Sequence, residues 1–495
     1  MAIQSVVEPL SGNPAIDALL DGERWNSNTL TVGFPVASSS WDNYGPGSEP
    51  FTGFATLNSA QQQAVTAAWG SWAAVANLTF VPVAEPTQAA DLRFAGTTEA
   101  STAYTYLPTN APQGGDVWFG RTVTDVPFWV PGSYQYATAV HEIGHALGLK
   151  HPHDPVATGV VAPAASDSIE LSIMSYRSYP DAPLSGYTIP RGSYPTTPMP
   201  DDIAAIQYVY GANYATNAGD TVHRFTPDEK TIFQTVWDGG GTDTYDLSAY
   251  TTGVSVTLQP GGWSSLSTAQ LARLDYADPD RLARGNVANA YLHNGDPRSL
   301  IENAVGGVGD DTIVGNQTPN VLIGGTGADL LQLPADGVGD MILLASADDG
   351  GAPGQPAGFD VVTGFESGID KVALGGALRS AIDRNGDGIL GGAVHGPGEL
   401  DGMTDEAVRL STPLAGLTDP GFASLVAALG PFAGAFVGPA PAPDVLVLAD
   451  DGTSTGAYLV RDAGGLVQPV GSSDVRLLGL ISGNPSVGLG DLTLV

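Results

Sequence analysis

The sequence predicts an α+β chain in two parts: an α/β domain, then an all-β half arranged as a parallel β-roll or β-sandwich. Three observations lead there. Apolar residues recur at helical spacing before residue 217, with strand-like runs between them. After about Asn217 glycine and aspartate rise, helical periodicity fades, and short β-rich runs alternate with turn clusters. From Gly306 a nine-residue pattern repeats, with one apolar position per period. The expected divisions are 1–15 (an N-terminal tail or short propeptide), 16–217, 218–345 and 346–495. The last includes a Gly/Ala/Pro-rich insertion at about 375–443.

In chain order, Ala60 to Ala76 sets Val65, Trp69, Trp72 and Ala76 on one helical face, with Asn58 or Ser59 as N-cap. Leu78 to Val83 and Ala90 to Ala95 read as strands. Ser133 to Leu147 reads as a second helix, closed by Gly148. A third runs from Pro200 to Tyr210. Proline at the first position gives up no helical hydrogen bond, Asp201 and Asp202 sit at the positive end of the dipole, and Gly211 follows the last turn.

Composition narrows the function. The 495 residues hold 52 acidic and 18 basic side chains, a formal charge of -34. Phosphate binding needs clustered Lys and Arg, so nucleic acid is excluded as a partner. The balance suits a protein that neutralises itself with bound cations, and short carboxylates on turns are typical calcium ligands. With no cysteine, stability rests on core packing or metals. Met1 to Asn13 has neither a basic start nor an apolar stretch, so no cleaved secretory signal is expected there. The uncharged segment Gly421 to Ala442 is interrupted by Pro431 and rich in small residues, so no membrane span is expected.

The chemistry centres on His141-Glu142-Ile143-Gly144-His145-Ala146-Leu147-Gly148-Leu149-Lys150-His151. Residues four apart share a helix face, so His141 and His145 reach one metal. Gly148 takes a left-handed conformation that ends the helix and turns His151 back as third ligand. Three protein ligands with an open position describe a catalytic zinc, since structural zinc takes four. Glu142, beside the first ligand, faces the water as general base. Four of the seven histidines lie between His141 and His153, a clustering that satisfied core histidines do not explain.

Ser172-Ile173-Met174-Ser175-Tyr176 follows downstream. With the zinc motif it resembles the metzincins, whose tight Met-turn underlies the metal. The pair His151-Pro152, the Met-Ser-Tyr turn, and the runs Met199 to Asn213, Gly115 to Phe119 and Ala103 to Pro108 are similar to the serralysin subfamily. The resemblance begins near Ile16 and covers nearly all that follows. It implies a secreted zinc endopeptidase with Met174 in the Met-turn. Tyr176 would be a fifth, displaceable ligand that stabilises the oxyanion. The strand with Ala103, Tyr104 and Thr105 would border the cleft and pair with an extended substrate. Two departures stand out. His153 replaces the family's usual glycine and either offers a competing nitrogen or, the favoured reading, lies on the surface; extra residues lie between Met174 and Met199.

The repeat starting at Gly306 has Asp311 and Asp329 at equivalent positions, with a degraded middle copy offering Asn320. Two nonapeptides make one turn, so loops 18 residues apart stack and Asp311 and Asp329 share one calcium. The same offset pairs Asn320 with Glu302 at a second. Gly307, Gly309, Gly325 and Gly327 free the backbone to aim carbonyl oxygens at the ion. The resemblance adds an earlier site at Asn217, Gly219, Thr221, Asp238, Gly240, Gly241 and Asp243. Asp383, Asn385 and Asp387 match the front of an EF-hand loop, but its twelfth position is Val394, so a polar turn and a partial calcium site stay open.

Export has to come from elsewhere. Gly490 to Val495, an acidic residue followed by apolar ones, resembles the C-terminal signal of bacterial type I secretion, and it also reads as a final strand. The expected molecule is a monomer acting on extracellular proteins or peptides. A second class is a calcium-dependent surface or structural RTX protein with a vestigial protease domain, which the intact Glu142 and histidines disfavour. Another zinc hydrolase, such as an esterase, is disfavoured by the Met-turn.

Overall fold

A computed structural model describes residues 3–42, 44–156, 158–383, 385–396, 406–429, 444–461 and 470–495. Contacts divide the chain into two compact units. The first takes Met1–Gly219, Glu229–Gly241 and Pro260–Ser299; the second takes Asp220–Asp228, Thr242–Gln259 and Leu300–Val495. Two stretches beyond residue 217 therefore return to the first unit, which a single cut in the sequence does not anticipate.

The first unit is built on a five-stranded sheet of β1 (Thr29–Gly33), β2 (Thr79–Pro82), β3 (Leu92–Gly96), β4 (Ala103–Thr105) and β5 (Val117–Phe119). Its order is β2-β1-β3-β5-β4, parallel except for β4, which runs antiparallel at the edge. Helix α1 (Ser59–Val75) starts at a capping box: Asn58 accepts from the N–H groups of Ala60 and Gln61, and Gln61 accepts from Asn58 N–H at 2.9 Å. Such a cap stabilises a helix by about 1 kcal/mol. Trp69 of α1 packs on Phe34 and Phe94, at ring distances of 5.6 and 5.7 Å. Helix α2 (Tyr134–Ala146) is capped by Ser133, and α3 (Pro200–Tyr210) begins at proline. All three helices and two of the strands lie within a residue or two of where periodicity and capping place them. Residues Ser5–Val7 form a strand antiparallel to Glu23–Trp25, so part of the segment expected as a tail is paired.

In the second unit, strands Asn303–Val305, Thr312–Val314, Val321–Ile323, Leu330–Gln332, Met341–Leu344, Asp360–Thr363 and Lys371–Leu374 alternate between a seven-stranded and a nine-stranded sheet. Their pairing is parallel throughout, Asn303 with Val321 and Thr312 with Leu330, as a two-nonapeptide turn requires. Ile313, Leu322 and Leu331 are fully buried, and Ile342, Val362 and Val372 continue the same interior. Each such side chain stabilises the winding by about 1.5–3 kcal/mol.

The segment expected as an insertion contributes a helix, Gly376–Ile382, and strands Gly392–His395 and Ala407–Leu410, which join the nine-stranded sheet beside Val445–Asp450. Its residues 397–405 and 430–443 lie outside the described residues. Leu492–Leu494 pairs in parallel with Val372–Leu374, so the chain end is a strand. No helix among the described residues is long and apolar enough to cross a membrane.

Candidate metal and substrate site

Helix α2 projects His141 and His145 from consecutive turns, and Gly148, at φ 103°, ends it. A Cβ at Gly148 would lie 2.4 Å from the Glu23 carbonyl oxygen, so both conformation and space demand glycine. The turn returns the Leu149 carbonyl to His145 Nδ1 at 2.7 Å, and His141 Nδ1 meets the Ile173 carbonyl at 2.8 Å. Carbonyls accept only, so both Nδ1 atoms carry the proton and both Nε2 atoms present lone pairs. His151 Nε2 lies 3.2 Å from His141 Nε2 and 3.0 Å from His145 Nε2.

Burial, then the neighbouring His145, lowers the His141 pKa to about 3; burial lowers His145 to about 4, opposed by the Leu149 carbonyl and the Asp154 charge. Burial, then the charges His145 and His141 would carry, lowers His151 as well. Three neutral imidazoles aiming acceptors at one point fit a divalent cation. They are the group of potential metal ligands that the described residues bring together.

Glu142 is buried beside His141, and Thr105 Oγ1 donates to its Oε2 at 2.7 Å. Burial raises the Glu142 pKa to about 7, opposed by that hydrogen bond. Thr105 lies on edge strand β4, so the carboxylate and the sheet edge border one cleft. The cleft, about 390 Å³, is lined by Ala103, His141, Glu142, Ile173, Tyr176 and Tyr187 among others. Tyr104 faces elsewhere: its hydroxyl and that of Tyr106 both donate to Glu49. The Tyr176 ring sits 4.2 Å from the His151 ring centre, and burial, then the Glu142 charge, push its hydroxyl to about 12.

Met174 is fully buried under α2. A Cβ at Gly144 would lie 2.5 Å from Met174 Sδ, which explains why the small residue stands between the two helical histidines. His153 is half-buried rather than fully exposed: its ring lies nearly parallel to that of His151, 5.3 Å away, and its side chain is 17% exposed. The flat stack on a neighbouring imidazole outweighs hydration there.

Three positioning groups were not singled out by sequence reasoning. Asp202 accepts from Ser172 Oγ, Ile173 N–H and Met199 N–H at 2.6, 2.7 and 2.8 Å, locking the Met-turn whose Ile173 carbonyl holds His141. Asp167 accepts from Ser175 Oγ at 2.5 Å and Arg177 Nε at 3.0 Å, gripping both neighbours of Tyr176. Lys150 Nζ donates to the carbonyls of Ala18, Asp154 and Val160 at 2.6, 2.7 and 2.9 Å, bracing the loop after His151. The helix-start signal located Asp202 but not its partners. Nothing local marks Asp167 or Lys150.

In the second unit Asp311 N–H donates to Asp329 at 2.7 Å, and Asp329 N–H to Asp360 at 3.0 Å. A parallel ladder runs from Asp243 N–H to Glu302, then from Asn320 N–H to Asp340 and from Asp340 N–H to Asp370, at 2.7, 2.8 and 2.9 Å. Asp340, Asp360 and Asp370 extend the ladders beyond the recognisable repeat. Asp329 Oδ2 and Asp340 Oδ2 are buried without a hydrogen-bond partner. A Cβ at Gly325 or Gly327 would lie 2.2 or 2.3 Å from the Gly307 or Gly309 carbonyl, so the loops stack with carbonyl oxygens close by. Orphaned carboxylate oxygens among carbonyls fit calcium.

Burial, then neighbouring carboxylates, raises Asp360 to about 9. Burial raises Asp340 to about 7 and Asp329 to about 6. Thr221 N–H donates to Asp243 at 2.8 Å within the second unit; in the first, Gly240 N–H donates to Asp238 at 3.0 Å, with Gly240 and Gly241 at positive φ. Asn217, also at positive φ, and Gly219 lie at the end of the first unit's long stretch. Asp383, Asn385 and Asp387 spend oxygens on N–H groups of their own turn, those of Gly386, Asp387 and Ile389.

A family model described as Peptidase M10 serralysin C terminal matches residues 202–385. Metallopeptidase AprA of Pseudomonas marginalis is 32% identical over 395 residues, covering 73% of this chain and 76% of its own. Serralysin B of Dickeya chrysanthemi is 34% identical over 310 residues, 58% of each chain. Metalloprotease AprA of Pseudomonas entomophila is 32% identical over 331 residues, 61% of this chain and 63% of that one.

Proposed function

The chain belongs to the serralysin family of zinc metalloendopeptidases, and from that premise we propose that it cleaves peptide bonds of extracellular proteins with Glu142 as general base. The observation that carries this is the convergence of three Nε2 atoms beside a buried carboxylate at a sheet edge. His141, His145 and His151 hold zinc, which when bound supplies Lewis acidity toward the scissile carbonyl and a lowered water pKa. Glu142 takes the proton of the attacking water and delivers it to the leaving amine. Tyr176, at the cleft with its hydroxyl protonated, donates a hydrogen bond to the developing oxyanion. Edge strand β4 pairs with an extended substrate backbone, which favours broad side-chain tolerance. The test is casein digestion with and without a zinc chelator. Digestion that survives complete zinc removal contradicts the reading.

Calcium stabilises the second unit through the Asp311–Asp329–Asp360 and Glu302–Asn320–Asp340–Asp370 ladders, supported by their orphaned oxygens. Thr221 and Asp243, joined within the second unit, serve an earlier site. The protein leaves a bacterial cell as a monomer through type I secretion, guided by its C-terminal strand. Low cytosolic calcium leaves the ladders repelling one another, and folding completes outside.

A further inference from the structure

Beyond the tyrosine wall of the cleft lies a second cavity of about 200 Å³, lined by Val126, Tyr134, Gln135, Ile189, Arg191 and Tyr194. Tyr134 and Tyr194 line both spaces, so the two adjoin through one pair of rings 5.7 Å apart. Arg191 is exposed and has no hydrogen-bond or ion-pair partner among the described residues. In the same unit Arg24, Arg93, Arg177 and Arg284 each pair with an acid: Glu8, Glu85, Asp167 and Glu170. In a chain with 52 acidic and 18 basic residues an unclaimed guanidinium is unusual. Among the described residues no carboxylate lines the second cavity, and Glu142 is the one carboxylate lining the first.

We infer that Arg191 forms an extended substrate subsite for a carboxylate, either an Asp or Glu side chain or the terminal carboxylate of a short peptide. The guanidinium offers a planar fork that matches a carboxylate in two hydrogen bonds. Val126 and Ile189 flank it with apolar surface, and Gln135 adds an amide. From Tyr176 beside the zinc ligands, the rings of Tyr187 and Tyr194 lie in steps of 6.3 and 5.8 Å. An extended chain covers that path within about four residues, at roughly 3.3 Å each. The acidic group therefore sits within about four residues of the scissile bond, on one side only. This assignment rests on the peptidase reading and narrows its substrates.

The experiment is cleavage of quenched peptides at about 0.15 M salt, where the Debye length of roughly 8 Å screens the distant carboxylates. In the first arm both ends are blocked, and each of four positions on either side of the bond carries Asp, Asn or Lys in turn. The second arm compares free with amidated C-termini on a neutral peptide. The expected result is a preference for acid at one position, or for the free terminus, of about 2–5-fold in kcat/KM, the range of an exposed ion pair. It should reside in KM, vanish in Arg191→Ala, persist in Arg191→Lys and turn to Lys in Arg191→Glu. Ordinary cleavage with a flat profile, or a preference unchanged by all three substitutions, overturns the subsite alone. Absence of any cleavage overturns the peptidase reading and the subsite with it.

Discussion

The three clustered histidines and the carboxylate ladders solve the same problem in opposite ways. His141 and His145 are neutral, buried and pinned through Nδ1 by carbonyls of the protein's own turns, so hydrogen bonds fix where their lone pairs point. Asp329, Asp340 and Asp360 would be charged alike and buried in rows, held by backbone N–H groups that leave Asp329 Oδ2 and Asp340 Oδ2 unsatisfied. Neutral ligands can be preassembled by hydrogen bonds, whereas stacked anions need protons or cations to stay together. Loss of metal should therefore stop chemistry in the first unit and loosen structure in the second.

The largest expected effect tests the first half of that contrast. Glu142→Gln should lower kcat by about 10²–10⁴-fold, the usual contribution of a positioned general base, while bound zinc, measured by metal analysis, stays stoichiometric. Retained turnover would remove Glu142 from its role. Next, Gly148→Ala should destabilise the first unit by about 1–3 kcal/mol, the cost of a strained backbone, and weaken zinc binding as His151 shifts. Denaturant melts and a zinc competition assay measure the two consequences.

The ladders carry a pH signature of their own. Burial and neighbouring carboxylates raise Asp329, Asp340 and Asp360 to about 6, 7 and 9 in the folded chain, above the ordinary carboxylate value of 3.8. For a raised acid, the stabilising contribution is complete below the unfolded pKa and is lost as pH rises through the folded one. Without calcium, the melting temperature of the second unit should therefore fall between about pH 4 and pH 9. Calcium should flatten or reverse that slope. Smaller in effect, Asp329→Asn should raise the calcium-free melting temperature and blunt the response to added calcium, because it removes one repelling charge at nearly constant shape. A calcium response equal to that of the unsubstituted protein would show that Asp329 is no ligand.

The same contrast separates what the sequence made legible from what it hid. Helices α1 to α3 follow from periodicity, Asn58 and Ser133 caps and Pro200, because each signal is local. The zinc motif is equally compact, and Gly148 announces its own turn. The ladders became illegible past Asp329 because loops of unequal length intervene: Asn320 meets Asp340 and Asp329 meets Asp360, not the residues one regular turn on. The inward apolar position persists there while the spacing drifts. Asp167, Asp202 and Lys150 act on partners up to 132 residues away, and their roles follow only from the packed structure. His153 was misplaced because a stack against His151 cannot be read from two residues of chain.

The most direct measurement of the central contrast is hydrogen exchange on the Glu142→Gln protein, which prevents self-digestion, in a zinc-selective and then a calcium-selective chelator. Zinc removal should leave exchange in α2 and in strands Asn303–Val305 to Lys371–Leu374 nearly unchanged. Calcium removal should accelerate exchange across those strands while α2 remains protected. Strands that exchange equally with and without calcium would contradict the account, as would an α2 that opens when zinc leaves.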